Sequence, residues 1–451
     1  MVKLISFIID NLSKNRVIKV FSLTSVSTFV RMMTGFVSVK VISVMIGPSG
    51  VALLGQLNNF SSIILAFGSG GINSGITKYV AELKNNQEKV KSYIGTGTFV
   101  TLASTLLFGF SLIIFSNKLS FCILLTAKYS YVFTVFGTTL IFYTFNAFLL
   151  SILNGFQQFR LFVIISIFSS IFGLLISICL VCLWGIDGAL INSVTSQSFL
   201  LFITIYFIRK HNFEWLSKSY LLHKFQISIA IKYFNFFVMT LAASLGAPVA
   251  QLLIRSYLMK SFSMKDAGCW EGINKVSNMY LMVITSSFGI YYLPRLSELK
   301  ESLLIKKEIY SAFKIVIPCL LGFLPLIFLF RNQIISILFS NEFRSMNQLF
   351  AWQLVGDFLK ISSWLIAYLM LAKAMMKQFV ITEISFSISY ICFVFLFCNL
   401  FGFQGVVIGY SLNYFIYLIT IYFLIFRNIH KIAYKETKPE KSPYDWKESV
   451  T

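Results

Sequence analysis

Histidine, proline and acidic side chains are scarce in this 451-residue chain: 3 His, 7 Pro and 17 Asp plus Glu. The histidines, His211, His223 and His430, all fall outside the long apolar runs, which leaves no His-based metal centre and no buried proton relay. The seven cysteines are scattered, and the CxxC of Cys179 and Cys182 sits inside the apolar run ISICLVCLWG, where packing and not redox chemistry is the expectation. No Walker motif, no paired catalytic carboxylates and no Ser/His/Asp set can be found. Strands of alternating polarity are missing too, which argues against an outer-membrane barrel. No signal-peptide cleavage site is apparent, because the first apolar run carries Arg31 and ends at Gly47-Pro48.

What is abundant is apolar surface. Hydrophobic residues make up 57% of the chain, charged residues only 12%, and the mean hydropathy is +0.79. That balance indicates an all-α polytopic membrane protein. Windows of about 20 residues pick out about twelve apolar helices, near 17–46, 51–77, 92–116, 130–153, 161–184, 188–208, 228–254, 269–293, 309–330, 347–372, 378–398 and 404–426. With the N-terminus placed in the cytoplasm, 26 of the 38 Lys and Arg fall in cytoplasmic segments and 7 on the opposite side. The positive-inside rule therefore puts both termini on the cytoplasmic side. The formal charge of +21 is read as basic loops facing anionic membrane lipid, with no nucleic-acid partner.

The chain also repeats itself. Phe159-Arg160-Leu161-Phe162-Val163-Ile164 recurs as Met376-Lys377-Gln378-Phe379-Val380-Ile381, and Gly185-Ile186-Asp187-Gly188 as Gly402-Phe403-Gln404-Gly405, both at an offset of 217. Glu82-Leu83-Lys84 recurs as Glu298-Leu299-Lys300, and Gly50 pairs with Gly268. An even number of helices separates the copies, so the repeats run parallel. The expected organisation is an N-lobe at 1–217 (helices 1–6), a C-lobe at 218–434 (helices 7–12) and a disordered cytoplasmic tail at 435–451. Two six-helix lobes are a natural shape for alternating access.

Charges inside the membrane are costly and usually face a protein interior or water, at about 2.5–3.5 kcal/mol each on insertion scales. In the helix from Phe350, Gln353, Asp357, Lys360 and Trp364 follow each other at helical spacing and form one stripe. Thr24, Ser27, Arg31, Thr34 and Ser38 form a second stripe on helix 1, with Arg31 near the midplane. Lys40 lies on another face near the outer end, either lining the lumen or snorkelling. Glu271 and Lys275 are an i,i+4 pair on helix 8, either a surface ion pair or the rim of the lumen. The expected substrate-binding residues are thus Arg31, Lys360, Gln353, Trp364, Lys40 and Lys275. Asp357 and Glu271 are the candidates for proton coupling, Asp357 having a permanent structural pair with Lys360 as its alternative. The positive excess at the centre suits an anionic substrate.

Gly75-Ile76-Thr77-Lys78-Tyr79-Val80-Ala81, Tyr292-Leu293-Pro294-Arg295-Leu296-Ser297 and above all FAWQLVGDFLK from Phe350, followed by Ala372-Lys373-Ala374, carry a resemblance. With these segments the chain resembles the Wzx-type flippases of the multidrug/oligosaccharidyl-lipid/polysaccharide exporter superfamily, from helix 1 to helix 12. Within that group it looks most like the flippases for O-antigen units and for the lipid-linked enterobacterial common antigen unit. The resemblance implies two six-helix bundles around a cationic central cavity. It implies an undecaprenyl-diphosphate-linked oligosaccharide as substrate, moved from the cytoplasmic to the periplasmic leaflet. A polysaccharide polymerase and a chain-length regulator become candidate partners, and no cofactor is expected. Asp357 and Lys360 match the family motif directly, Arg31 matches a basic position of helix 1, and Glu271 and Lys275 stand where relatives vary.

Two other functions compete. A drug/cation antiporter of the same superfamily would carry net acidic helices, whereas cations outnumber carboxylates here. A membrane polymerase or ligase would need a large catalytic outer loop, and no outer loop exceeds about 20 residues. Without a nucleotide motif, energy would come from an ion gradient or from consumption of the product.

Overall fold

The computed structural model describes residues 16–437, apart from Asn212, Glu214, Leu216, Lys300 and Ala374. Among the described residues every regular element is helical. In chain order these are α1 (Arg16–Gly68), α2 (Asn73–Leu83), α3 (Gln87–Ile114), α4 (Ser116–Leu124), α5 (Ser130–Gly155) and α6 (Phe159–Lys210). After the short α7 (Lys218–Leu221) come α8 (Ile227–Ser244), α9 (Gly246–Ser261), α10 (Met264–Ser287) and α11 (Leu293–Glu298). The chain closes with α12 (Ser302–Leu329), α13 (Arg331–Leu338), α14 (Phe350–Ala372), α15 (Met376–Phe401) and α16 (Gly405–Thr437). The expected tail, beyond Thr437, lies outside the described residues.

Seven stretches are long and apolar enough to cross a membrane. Three of them, Ser25–Gly68, Phe159–Lys210 and Met376–Arg427, run for 44, 52 and 52 residues. At about 1.5 Å per residue each is at least twice the ~30 Å thickness of a bilayer core, so each holds two crossings. With those three counted twice the seven stretches hold ten crossings; the other two expected, near 228–254 and 269–293, coincide with α8–α9 and α10, which are not among the seven. Ile114, Leu183, Phe202, Leu303 and Leu400 stand exposed on these helices, as lipid-facing side chains do.

Each long stretch breaks at a glycine. Gly185 (φ 55, ψ −125) and Gly402 (φ 62, ψ −146) occupy backbone that only glycine enters without strain. Just beyond the turn, a Cβ on Gly188 would strike the Leu180 carbonyl, and one on Gly405 would strike the Phe397 carbonyl. GIDG and GFQG, repeated at an offset of 217, therefore make the same tight reversal. Elsewhere a π-turn at Phe288–Tyr292 leads into α11, where Pro294 has no N–H to give to a regular ladder.

The helices gather into two compact units. Among the described residues, one comprises those up to Met279 together with Asn332–Gln348, and the other comprises Tyr280–Arg331 and those from Leu349. These boundaries differ from the repeat halves 1–217 and 218–434: contacts draw residues 218–279 and Asn332–Gln348 to the first half. Within the first unit, Ile72, Ile94, Phe148 and Ile152 centre one apolar core, and Leu57, Phe133, Phe136 and Leu140 a second. The second unit is built on α14 and α16, with α15 packed against α16.

Candidate functional site

The first unit has an open cavity of about 700 Å³. One arm of α6 supplies Ser166, Ser169, Ser170 and Ser177 at helical spacing, and the other supplies Asn192, Ser193, Ser196 and Gln197. The Gly185 reversal is what brings the two arms side by side. From α1 come Arg31, Thr34 and Ser38, and from α10 comes Lys275. No Asp or Glu is among the described lining residues, so the wall presents two cations and many neutral hydrogen-bonding groups. Asn146 on α5 holds the arm in place: it donates to Gln197 Oε1 at 3.3 Å and accepts from Thr204 at 2.7 Å. Asn192 Oδ1 and Ser193 Oγ are buried and have no hydrogen-bond partner among the described residues. Unsatisfied polar atoms are expensive in a membrane interior and are usually met by water or a polar ligand.

Beside the cavity, Glu271 pairs with Arg255 of α9. Arg255 is fully buried, donates through its other terminal nitrogen to Gln56 Oε1 at 3.3 Å and lies over the Trp270 ring at 5.3 Å. Gln56 Nε2 in turn donates to Ser256 Oγ at 2.6 Å, tying α1 to α9.

The second unit holds a different polar centre. Asp357 is fully buried on α14 and accepts from the Tyr410 hydroxyl at 2.7 Å, from the Tyr280 hydroxyl and from Gln353 Nε2 at 3.4 Å. The preceding Gly356 makes this possible, because a Cβ there would run into the Tyr410 ring. Lys360, one turn on, stands among aromatic faces: its Nζ is 4.9 Å from the Trp364 ring centre, 5.4 Å from Tyr414 and 5.8 Å from Tyr410. A cation over electron-rich ring faces is held by their quadrupoles.

A model of the family described as "polysaccharide biosynthesis protein" matches residues 17–300. The chain belongs to the polysaccharide biosynthesis protein family. It is 28% identical, over 362 residues covering 80% of this chain and 86% of the relative, to the lipid III flippase of Escherichia coli K12. The lipid III flippase of Shigella flexneri matches equally well. Among solved structures, an inward-facing multidrug resistance transporter of the MOP superfamily superposes with a TM-score of 0.76 at 13% identity, covering 91% of this chain and all of the other. A MOP superfamily transporter from Pyrococcus furiosus, described as having a binding pocket of reversed polarity, gives 0.65 at 14%, covering 92% and 96%. These structures show that this family member has the MOP transporter fold, and with the relatives named flippases they support a transporter.

For this polysaccharide biosynthesis family member, the structure sorts the expected site residues into separate places. Arg31 and Lys275 share the cavity. Lys40 does not join them: its Nζ donates to the carbonyls of Ser336 and Phe339, at 2.9 and 3.0 Å, at the end of α13. Gln353, Asp357, Lys360 and Trp364 form the polar and aromatic cluster of the second unit. The expected Glu271–Lys275 pair is replaced by Glu271–Arg255, because the buried guanidinium of α9 reaches the carboxylate with one terminal nitrogen while Gln56 holds the other. No ion pair between Asp357 and Lys360 is found among the described residues, and Tyr410 and Tyr280 both donate to the carboxylate. Sequence reading missed Arg255, which stands just past the apolar run 228–254, and the serine stripe of α6. The stripe carried a signal: small hydroxyls at 166, 169, 170 and 177 within an otherwise apolar run. Arg255 and Tyr410 carried none, because their partners lie far away in sequence.

Proposed function

We propose that the chain is a flippase for a lipid-linked oligosaccharide whose head group enters the cavity of the first unit. The observation that carries this reading is the lining: Arg31 and Lys275 without a carboxylate, beside hydroxyl and amide side chains with unpartnered atoms. Fixed cations replace the water that a diphosphate loses in a membrane, and Ser, Asn and Gln exchange hydrogen bonds with sugar hydroxyls. The relatives named flippases support the same activity.

In finer detail, we take the cargo to be an undecaprenyl-diphosphate-linked O-antigen repeat unit, carried from the cytoplasmic to the periplasmic leaflet of an inner membrane in which both termini are cytoplasmic. The halves 1–217 and 218–434 are proposed as repeat lobes, with coupling to an ion gradient through Asp357. The names of the two relatives favour a second reading, in which the cargo is lipid III.

The test is a flipping assay in proteoliposomes with each lipid-linked oligosaccharide. The wild-type protein should move the O-antigen lipid, and Arg31→Ala and Lys275→Ala should lose most of the rate at unchanged protein level. Wild-type rates in both variants would remove the cavity from the mechanism. Preference for lipid III would select the second reading.

A further inference from the structure

We propose that Arg255 is a positioning residue: it sequesters Glu271 and so keeps Lys275 an unpaired cation on the wall of the first unit's cavity. The idea rests on the reading of that cavity as a diphosphate-sugar site, and it explains a pairing that helix geometry alone would not choose. Glu271 and Lys275 stand at i,i+4 on α10 with the glutamate N-terminal, the favourable order for a pair within one helix. They do not pair. Glu271 is bound by Arg255, while Lys275 has no hydrogen bond or ion pair among the described residues and lines the cavity.

The arrangement around Arg255 is built for this. The guanidinium is fully buried, packed over Trp270 and held by Gln56. Gly55 leaves the space in which the pair closes, since a Cβ there would come within 2.6 Å of the Glu271 carboxyl carbon and 3.0 Å of the Arg255 guanidinium carbon. A carboxylate at this depth needs a cation. If Arg255 is removed, Lys275 is the cation one turn away on the same helix. The Glu271 side chain then neutralises Lys275, and the cavity keeps Arg31 alone. Arg255 thus sets the charge of a cavity it does not line.

Two measurements on the full-length protein in detergent test this. One is binding of geranylgeranyl diphosphate, and the other is the rate at which trinitrobenzenesulfonate modifies Lys275, read by mass spectrometry. Arg255→Met should weaken the diphosphate about tenfold, the scale of close charge pairs, and should slow Lys275 modification. Arg255→Met/Glu271→Gln should restore both, because the amide no longer competes for Lys275. Should Arg255→Met not accumulate, Gly55→Ala pries the pair apart more gently, and Glu271→Gln in that background should again restore binding. A double variant no better than its single parent would overturn the proposal and leave Arg255 a merely structural group. If the wild-type protein fails to bind the diphosphate, the reading of the cavity falls, and the Lys275 modification rates still decide the role of Arg255.

Discussion

The Tyr410 hydroxyl donates to Asp357 Oδ1 at 2.7 Å, and the same ring stands 5.8 Å from the Lys360 ammonium. One phenol therefore touches both charges of the α14 stripe, which lie a turn apart without bonding each other. Any change in the charge of Asp357 alters the hydrogen bond of a ring that also faces Lys360.

Tyr410→Phe keeps the ring and deletes the donor. A buried carboxylate deprived of a partner costs about 1–3 kcal/mol, so the melting temperature in detergent should fall and transport with it. Gly356→Ala should be worse, because its methyl group meets the Tyr410 ring. A Tyr410→Phe protein with wild-type stability and flipping rate would show that the bond has no role.

Asp357→Asn separates coupling from architecture. The amide oxygen can still accept from one of the two tyrosines and its NH2 can donate to the other hydroxyl, but the side chain cannot ionise. If Asp357 couples transport to protons, the variant should bind the lipid-linked substrate while its flipping rate stops responding to an imposed pH gradient. Normal gradient-driven flipping by Asp357→Asn would refute the coupling role.

Filling the cavity should block transport without unfolding the protein. Gly173 lines it, and a Cβ there meets nothing within 4 Å. Gly173→Leu should raise helix stability by roughly 0.5–1 kcal/mol while the flipping rate drops severalfold. A variant that is more stable and equally active would mean that the substrate passes elsewhere.

The two hairpin glycines should behave in the opposite way. Gly185→Ala and Gly402→Ala force a side chain into positive φ, at a cost on the order of 1–3 kcal/mol each, and should lower the melting temperature by similar amounts. Comparable losses at the two sites would fit repeated turns with one conformation; a neutral Gly402→Ala would break the equivalence.

Topology can be read by labelling. Asn85 and Ser49 are both exposed. Cysteines placed there in a Cys-reduced background should react with an impermeant reagent from opposite sides of the membrane. Reaction of both from outside would contradict the charge-based orientation.

The sequence by itself determined the class of the molecule, the helical crossings and the repeated turns, because these follow from local properties: hydropathy over about 20 residues, and glycine where the backbone must enter positive φ. It also marked Arg31, Asp357 and Lys360, since a charge within an apolar run stands out wherever the chain goes. It could not say what each charge meets. Helical spacing gives the face of a residue and not its neighbour, so Glu271 looked like the partner of Lys275 until α9 delivered Arg255. Only the tertiary structure decided that Tyr410, 53 positions away, holds Asp357, that α13 takes Lys40, and that both arms of α6 line one polar space with α1, α5 and α10. Those pairings depend on which helices pack together, and packing is set by long-range contacts that no local window contains.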